Sequence, residues 1–290
     1  MSHQPRSPAP AWMRWALSVM AVAIAGLAVA VAIMVGDDGP PAAATAPTTI
    51  ASVPSTTLQA STTIPPAATE AVYTVVGVSG LGRDILATTF GDGPTRVYVM
   101  VGIHGDERAA VDTGPLLVEH WLQGGVPEGV TIRYLANANP DGVVAATRVN
   151  GAGVDLNRSF PTDDFEPGGE HGEYPLSEPE SAALFADIAA FAPDLIVTLH
   201  CEWNGPFANY DGPAERYAEA FAAAAGVIDS EWRVEPEVPY PTPGSLGTYY
   251  GKTLGIGVVT VEMSRLRTAA EHWPALRAGI DALLVLAAGA

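Results

Sequence analysis

The sequence has little cysteine and little positive charge. Cys201 is the only cysteine in 290 residues, which excludes an internal disulfide framework and a cysteine-based zinc site. Lysine occurs once, at Lys252, and 32 acidic residues outnumber 14 basic ones. Because nucleic-acid binding needs a basic surface, this balance argues against nucleic acid as a partner. It fits a solvated extracytoplasmic surface, although acidity alone specifies no ligand.

Charged residues are also absent from a long apolar stretch near the N-terminus. Residues 16–36 are 21 uncharged residues rich in Ala, Val, Ile and Leu, and a helix of that length spans a bilayer core of about 30 Å. Two arginines precede the stretch, whereas Asp37 and Asp38 follow it. We therefore predict a single-pass membrane anchor, with residues 1–15 in the cytoplasm and the rest of the chain outside it. The alternative is a cleaved signal peptide and a secreted protein, although the stretch exceeds the usual signal core of about 7–15 residues.

The segment after the predicted anchor has the composition of a linker. Residues 37–70 consist mostly of Thr, Ala, Pro and Ser, and residues 39–69 carry no charge. Such a segment buries too little apolar surface to fold, and its prolines keep it extended. We predict that it tethers a folded domain, residues 71–290, to the membrane. This domain carries 12 basic and 29 acidic residues.

Apolar runs and amphipathic stretches alternate along residues 71–290. This alternation predicts an α/β domain with a mixed, mainly parallel sheet flanked by helices. At Ser177 we predict a capping box with Glu180 that opens a helix. The region 143–176 is predicted to be mostly irregular, which is typical of functional loops. The predicted strands are 72–78, 96–103, 130–135, 194–200 and 257–261, and the predicted helices are 108–122, 177–191, 213–225 and 269–288.

Two metal-capable side chains follow the second predicted strand. His104 and Glu107 are three residues apart where the strand gives way to a turn, so both can reach one ion. His200 ends another apolar strand, and open α/β sheets bind ligands at the carboxyl ends of their strands. Alone, each feature has an ordinary alternative: a solvated turn for the first pair and a packed core histidine for His200. Together they indicate a zinc site with three protein ligands.

Three further side chains suit hydrolysis at such a metal. Glu262 ends a strand in a carboxylate, as a general base requires, and the alternative is a surface glutamate. Arg148 and Arg158 lie in one loop of a domain with few basic residues. Arginine recognises carboxylates and stabilises oxyanions, so the pair indicates an anionic group to hold. The alternative is that both arginines form structural ion pairs with this acidic domain.

These residues lie in segments that resemble the carboxypeptidase A-like zinc metallopeptidases, and among them the bacterial murein peptide amidase branch. The segments occur in the family's order and cover most of residues 97–262, whereas the predicted anchor and linker lie outside the resemblance. The matching segments are Gly102-Ile-His-Gly-Asp-Glu107, Asn139-Pro-Asp-Gly142, Thr147-Arg-Val-Asn-Gly-Ala-Gly-Val-Asp-Leu-Asn-Arg-Ser-Phe-Pro161, Ser177-Glu-Pro-Glu180, Leu199-His200, Tyr240-Pro-Thr-Pro-Gly-Ser-Leu-Gly247 and Thr260-Val-Glu262.

The resemblance implies a role for each residue of the predicted metal site. His104, Glu107 and His200 would bind one zinc ion, and Glu262 would act as the general base. Arg148 would lie at the oxyanion that forms on the substrate. The expected fold is that of the zinc carboxypeptidases.

The resemblance also implies a set of substrate-binding residues. Asn157 and Arg158 would hold the terminal carboxylate of the substrate, and Tyr240 matches a mobile tyrosine that closes over it. Asp106 departs from the family, because digestive carboxypeptidases carry a substrate-contacting arginine there. A carboxylate at this position favours an amine on the substrate, as on diaminopimelate, and the alternative is a solvated turn acid. Cys201 follows a ligand directly, and we predict a small buried residue rather than a redox switch.

From this resemblance and the predicted anchor we expect a membrane-anchored, extracytoplasmic zinc metallopeptidase that cleaves a peptide or γ-glutamyl amide. The favoured substrate is a peptidoglycan stem peptide, cut between γ-D-glutamate and diaminopimelate. Three alternatives stay open: a general metallocarboxypeptidase that releases C-terminal residues, a deacylase of N-acyl amino acids, and a catalytically inactive wall-binding module. The intact Asn157-Arg158 and Tyr240 segments weaken the deacylase, and the complete ligand set weakens the inactive module. We expect the protein to be a monomer.

Overall fold

A mixed sheet of eight strands runs through the computed structural model, which describes residues 70–236, 238 and 240–290. The strands are β1 (Thr74–Val78), β2 (Asp84–Gly91), β3 (Thr95–Val101), β4 (Val130–Leu135), β5 (Leu195–Glu202), β6 (Phe207–Asp211), β7 (Arg233–Val234) and β8 (Gly257–Ser264). Their order in the sheet is β1-β2-β4-β3-β5-β8-β6-β7. The central strands β4, β3, β5 and β8 are parallel, whereas β2 and β6 join them antiparallel.

Helices cover both faces of this sheet. In the described residues the α-helices are α1 (Arg108–Leu122), α2 (Pro140–Ala145), α3 (Pro179–Phe191), α4 (Glu215–Ile228) and α5 (Ala269–Ala288). One core cluster takes Leu117 from α1, Phe221 from α4 and Leu283 from α5. The other takes Leu184 from α3 and Tyr250 from a π-helical turn, Gly247–Thr253. The domain is therefore a three-layer sandwich of helices, sheet and helices.

Strand β3 lies in the centre of the sheet and is buried on both sides. Its residues Val97, Val99 and Val101 belong to one core cluster, and Tyr98 and Met100 belong to the other. All five are fully buried. A strand covered on both faces reads as a continuous apolar run in the sequence, which is why this strand is predictable from composition.

Most predicted elements agree with the structure. The predicted helices 108–122 and 269–288 and the predicted strand 130–135 coincide with α1, α5 and β4. Strands β2, β6 and β7 were not predicted, because their side chains alternate or are too few to form an apolar run. The region 143–176 is mostly irregular, as predicted, with short 3₁₀ turns at Leu156–Arg158 and Gly169–His171.

The predicted capping box at Ser177 is wrong. Helix α3 starts two residues later, and Glu178 occupies its N-cap position without a side-chain capping bond. The Glu180 carboxylate instead accepts hydrogen bonds from the Gly80 backbone N–H at 3.0 Å and from the Asn150 amide at 3.2 Å. Long-range partners therefore take the carboxylate that the local pattern assigned to the helix end.

The predicted cytoplasmic segment, membrane anchor and nearly all of the linker lie in residues 1–69, outside the described residues. Within the described part of the chain, no helix combines the length and the apolar character that crossing a bilayer requires. The membrane anchor therefore stays a prediction from the sequence.

Candidate metal centre

The carboxyl ends of three parallel strands bring the predicted site residues together. Strands β3 and β5 place Val101 opposite Leu199, and β5 and β8 place His200 opposite Glu262. The turn with the first two predicted ligands follows β3 directly. The metal-binding residues and the predicted base therefore meet at one edge of the sheet, where open α/β sheets bind their ligands.

The turn between β3 and α1 depends on two glycines. Gly102 has a φ of +74°, a left-handed conformation that glycine adopts without strain. A Cβ on Gly105 would lie 1.9 Å from the carbonyl carbon of Gly142, so no other residue permits this approach. The buried Asn139 amide donates to the Ile103 carbonyl at 3.2 Å and holds the turn from the same side. This packing directs the side chains of the turn towards β5.

The three predicted metal ligands form one buried cluster. Glu107 Oε1 lies 2.8 Å from His104 Nδ1, and Glu107 Oε2 lies 3.0 Å from His200 Nδ1. The two histidine Nδ1 atoms are 3.1 Å apart. All three residues are buried, and their candidate ligand atoms lie within 4.8 Å of one another. Two imidazole nitrogens and a carboxylate are a donor set of catalytic zinc sites, which keep a fourth position for water or substrate.

The electric field at this cluster favours a cation. Burial acts to lower the pKa of His104, but the Glu107 and Asp155 carboxylates outweigh burial and raise it to about 9. The two imidazoles hold the pKa of Glu107 well below its usual range, although burial opposes this. Buried charges require partners, and a divalent cation among these donors supplies one. The residues therefore fit zinc in donor type, spacing and charge.

Asp155 contacts the metal-ligand candidate His104, a role that the sequence pattern did not indicate. Its Oδ1 lies 3.1 Å from His104 Nε2, and its Oδ2 accepts a hydrogen bond from Arg148 Nε at 2.9 Å. Against the effect of burial, these contacts lower the pKa of Asp155. Metal-bound histidines commonly donate their second nitrogen to a carboxylate, which fixes the ring and its tautomer. In the sequence, the feature that could have indicated this role is the position of Asp155 as the only acid between Arg148 and Arg158.

Glu262 lies beside the ligand cluster as the sequence predicts. It pairs in register with His200, and the turn after β8 leads to helix α5. Burial raises the pKa of Glu262 to about 7, with help from the Glu107 charge and against the influence of His200. A carboxyl group with such a pKa exchanges protons near neutral pH, as a general base must.

The two predicted arginines differ in their partners. Arg148 forms an ion pair with Asp155, and its Nη1 lies 3.6 Å from Glu107 Oε1. Its guanidinium therefore has a partner inside the protein and also lies next to the metal-ligand candidates. Arg158 donates from Nη1 to the Asn157 carbonyl at 2.8 Å. Among the described residues, no carboxylate forms a direct ion pair with Arg158. Burial and the Arg148 charge lower the pKa of Arg158, although the nearby Asp155 charge opposes them. A planar guanidinium with forked donors is suited to a carboxylate ligand.

Asn157 and Tyr240 flank the same side of the site. Asn157 Oδ1 accepts a hydrogen bond from the Leu246 backbone N–H at 2.9 Å, so its oxygen anchors the loop that carries Tyr240. Its amide N–H groups are the atoms suited to a substrate carboxylate. Tyr240 is exposed. Partial burial together with the Glu202 and Glu262 charges raises the pKa of its hydroxyl.

Asp106 contacts an arginine that the sequence analysis did not single out. Asp106 Oδ2 lies 3.0 Å from Arg265 Nη1, and Arg265 Nη2 donates to Glu107 Oε1 at 3.2 Å. The predicted amine-binding role of Asp106 therefore competes with an ion pair inside the protein.

Cys201 is buried as predicted, and burial raises the pKa of its thiol to about 12.

Comparison with known proteins gives a family and several relatives. Residues 93–286 match the family model described as the succinylglutamate desuccinylase/aspartoacylase catalytic domain. Murein peptide amidase A of Escherichia coli (strain K12) is 29% identical over 180 residues, which cover 57% of this chain and 69% of that protein. Bacteriocin BCN5 of Clostridium perfringens is 34% identical over 134 residues, 40% of this chain, but the match spans only 15% of the bacteriocin.

Solved structures share the fold. Carboxypeptidase A from Helicoverpa armigera superposes with a TM-score of 0.68 at 19% identity, covering 76% of this chain and 69% of that chain. Murein-tripeptide amidase from Escherichia coli O157 superposes with a TM-score of 0.58 at 26% identity, covering 74% of this chain and 91% of that chain. At 19% identity the first likeness concerns the fold alone. The predicted carboxypeptidase-like α/β fold is confirmed for the folded domain.

Proposed function

The chain belongs to the succinylglutamate desuccinylase/aspartoacylase catalytic-domain family, and we propose that this zinc-dependent hydrolase cleaves a peptidoglycan stem peptide. The bond we propose is the amide between γ-D-glutamate and diaminopimelate. Similarity to murein peptide amidase A and to the murein-tripeptide amidase supports this substrate. Both relatives bear that substrate class in their names, whereas the fold alone is compatible with many peptides.

One observation carries the hydrolase assignment. The buried cluster of His104, Glu107 and His200 lies beside Glu262, a carboxyl group whose pKa is raised to about 7. A metal site without a neighbouring proton acceptor would fit a structural role. A metal site with such a carboxylate opposite one of its ligands fits hydrolysis.

The proposed mechanism assigns the proton transfers to Glu262. His104, Glu107 and His200 would hold the zinc ion, which would supply Lewis acidity towards a water molecule and the scissile carbonyl. Glu262 accepts the proton of the attacking water while the oxygen adds to the carbonyl carbon. The guanidinium of Arg148 stabilises the negative charge that develops on the carbonyl oxygen. As the carbon–nitrogen bond breaks, Glu262 returns the proton to the leaving amine, which restores the site.

Substrate orientation is assigned to Arg158 and Asn157. Arg158 forms no direct ion pair with a carboxylate of the described residues. The Asn157 oxygen is held by Leu246, which leaves the amide N–H groups for a ligand. A carboxylate next to the scissile amide supplies the two acceptor oxygens that this pair requires. Diaminopimelate released from a stem peptide carries such a carboxylate. Tyr240 would donate its hydroxyl over the bound substrate.

A deacylase of N-acyl amino acids is the second candidate, because the matching family model is named after such enzymes. Its substrates also pair an amide with a carboxylate, so the metal site and Arg158 serve both reactions. The two candidates differ in the size of the acyl group. A general metallocarboxypeptidase is supported by the fold of the solved neighbours.

The decisive experiment uses the full chain purified with zinc and three substrate sets. These are L-Ala-γ-D-Glu-diaminopimelate, ordinary peptides with free C-termini, and the N-acyl amino acids N-acetylaspartate and N-succinylglutamate. Mass spectrometry identifies the products. Release of diaminopimelate from the first set alone supports the proposal. Cleavage confined to the peptides indicates a general carboxypeptidase, and cleavage confined to the third set indicates a deacylase. A zinc-loaded protein that cleaves none of them fits the inactive wall-binding module.

We also propose that the enzyme is a monomer, anchored in the membrane with its catalytic domain outside the cytoplasm. The uncharged stretch 16–36 and its flanking charges support this topology. A protease added to intact spheroplasts should remove the catalytic domain while a cytoplasmic marker stays intact. Protection of the domain until lysis would contradict the topology. Light scattering of the purified protein measures its oligomeric state.

A further inference from the structure

We propose that Arg265 and Asp106 act together to position Glu107 for metal binding, and that Asp106 acts through Arg265 and not on the substrate. The inference rests on the zinc ligands of the proposed function but not on its substrate. Arg265 and Asp106 would be positioning residues, because the Arg265 guanidinium bonds Glu107, Asp106 and the Cys201 carbonyl. The proposed mechanism gives no role to the ion pair between Arg265 and Asp106, although Arg265 also contacts the metal-ligand candidate Glu107.

The Glu107 carboxylate is held from two sides. On the side of the metal cluster, Oε1 and Oε2 face the Nδ1 atoms of His104 and His200. On the other side, Oε1 accepts from Arg265 Nη2 at 3.2 Å, and Oε2 accepts from the Cys201 backbone N–H at 3.0 Å. Each carboxylate oxygen offers two lone pairs. The two outer donors fix the carboxylate and leave its remaining lone pairs on the side of the two histidines.

Arg265 is itself fixed by all three of its guanidinium nitrogens. Besides the bond to Glu107, Nη1 pairs with Asp106 Oδ2 at 3.0 Å, and Nε donates to the Cys201 carbonyl at 3.0 Å. Cys201 thus contributes its N–H to Glu107 and its carbonyl to Arg265, which closes a ring of contacts. Only 17% of the Arg265 side chain is exposed. A planar, forked guanidinium suits such a network, whereas a lysine ammonium cannot reproduce it.

The charges of the pair explain why an acid accompanies the arginine. A lone guanidinium 3.2 Å from a metal ligand would repel the ion that the ligand must hold. Asp106 cancels that charge, so the Glu107 carboxylate keeps its net attraction for a cation. Asp106 also precedes Glu107 in the turn after β3, while Arg265 follows β8, the strand of the proposed base. The ion pair therefore ties the metal-binding turn to the strand that carries Glu262.

The test measures zinc affinity in the absence of any substrate. The full-length protein and its variants R265M, R265K, D106N and R265M/D106N are titrated with zinc against a competing chelator. We expect R265M to weaken zinc binding about 10- to 100-fold, which is the usual effect of removing a group that orients a metal ligand. We expect D106N to weaken it by a smaller factor, and R265K to resemble R265M because lysine lacks the fork.

The double variant separates this proposal from a substrate role for Asp106. If Asp106 acts through Arg265, R265M/D106N binds zinc no more weakly than R265M alone. The visible spectrum of the cobalt-substituted protein should change in R265M and D106N, since the geometry of the Glu107 ligand changes. Arg267 is the matched control: it lies two residues away and pairs with Asp229 and Glu231. R267M should leave zinc affinity and the cobalt spectrum unchanged.

Two results would overturn the inference. The first is a D106N protein with wild-type zinc affinity and a raised KM only for substrates that carry an amine. The second is an R265M protein that melts like the wild type and binds zinc equally well. Failure of the wild type to cleave any peptide would leave these titrations intact, so the inference and the proposed substrate fail separately.

Discussion

His200 and Glu262 are register partners on the adjacent parallel strands β5 and β8. Side chains of paired residues lie about 5 Å apart on the same face of a sheet. The sheet therefore sets the distance between a proposed metal ligand and the proposed base, and no loop movement is needed to bring them together. This arrangement also explains why burial acts on the Glu262 carboxylate.

Replacement of Glu262 by glutamine should separate metal binding from turnover. Glutamine keeps the shape but cannot accept the proton of water, so kcat should fall about 10²- to 10⁴-fold. Zinc content, measured by atomic absorption, should stay at one ion per chain. E219Q, which changes an exposed glutamate on α4, is the control and should keep full activity. Turnover near the wild-type rate in E262Q would contradict the mechanism.

Replacement of Asp155 by asparagine should weaken the metal site without touching a ligand. The neutral amide loses the charge that orients His104 and is a poorer acceptor for its Nε2. Zinc affinity should fall about 10- to 100-fold in a chelator competition. D163N, at an exposed acid of the same region, should bind zinc like the wild type. Equal affinities in both variants would show that Asp155 does not orient the histidine.

Replacement of Arg148 and of Arg158 by methionine should change different kinetic constants. R148M should lower kcat about 10²- to 10³-fold, because the lost guanidinium stabilises charge only in the transition state. R158M should mainly raise KM, and only for substrates with a free carboxylate. Substrates with an amidated C-terminus are the internal comparison, and R216M on the exposed face of α4 is the control. The assignment fails if R158M weakens both substrate forms equally.

Acid should destabilise the domain partly through Asp141. This buried carboxylate accepts hydrogen bonds from Arg83 at 2.6 Å, from the Leu81 N–H at 2.9 Å and from Ser79 at 2.8 Å. Although burial opposes the effect, these donors lower the pKa of Asp141. A lowered pKa means stability that is present above the unfolded value of about 3.9 and is lost as the pH falls through the folded value.

The test compares D141N with the wild type in urea unfolding at pH 7 and at pH 3. At pH 7 the variant should lose about 1.5–3 kcal/mol of unfolding free energy, the range for hydrogen bonds to a charged group. At pH 3 the difference should shrink, because the unfolded wild-type chain takes up a proton on this carboxylate more readily than the folded protein does, which lowers the wild-type unfolding free energy. D84N alters an exposed acid at the start of β2 and should track the wild type at both pH values. A constant difference across pH would show that Asp141 does not titrate with unfolding.

Local sequence patterns determined much of the fold. The buried strands β3 and β5 are continuous apolar runs, and helix α1 is bounded by a turn motif and a glycine pair. The spacing of His104 and Glu107 and the strand-end position of His200 placed the metal cluster correctly. Each of these patterns involves residues that are close together in the chain. The side-chain periodicity of a strand or a helix is therefore enough to predict their positions.

Only the tertiary structure decided which distant side chains complete the site. Asp155 reaches His104 across 51 residues, and Arg265 reaches Glu107 across 158. A distant partner also explains why the predicted capping box is wrong: the Glu180 carboxylate accepts a hydrogen bond from Gly80, which lies 100 residues away in the chain. Buried polar groups bind whichever partner the packing supplies, and chain distance does not restrict that choice. The sequence by itself therefore indicated the candidate ligands and the candidate base, whereas packing of β3, β5 and β8 decided which distant residues contact them.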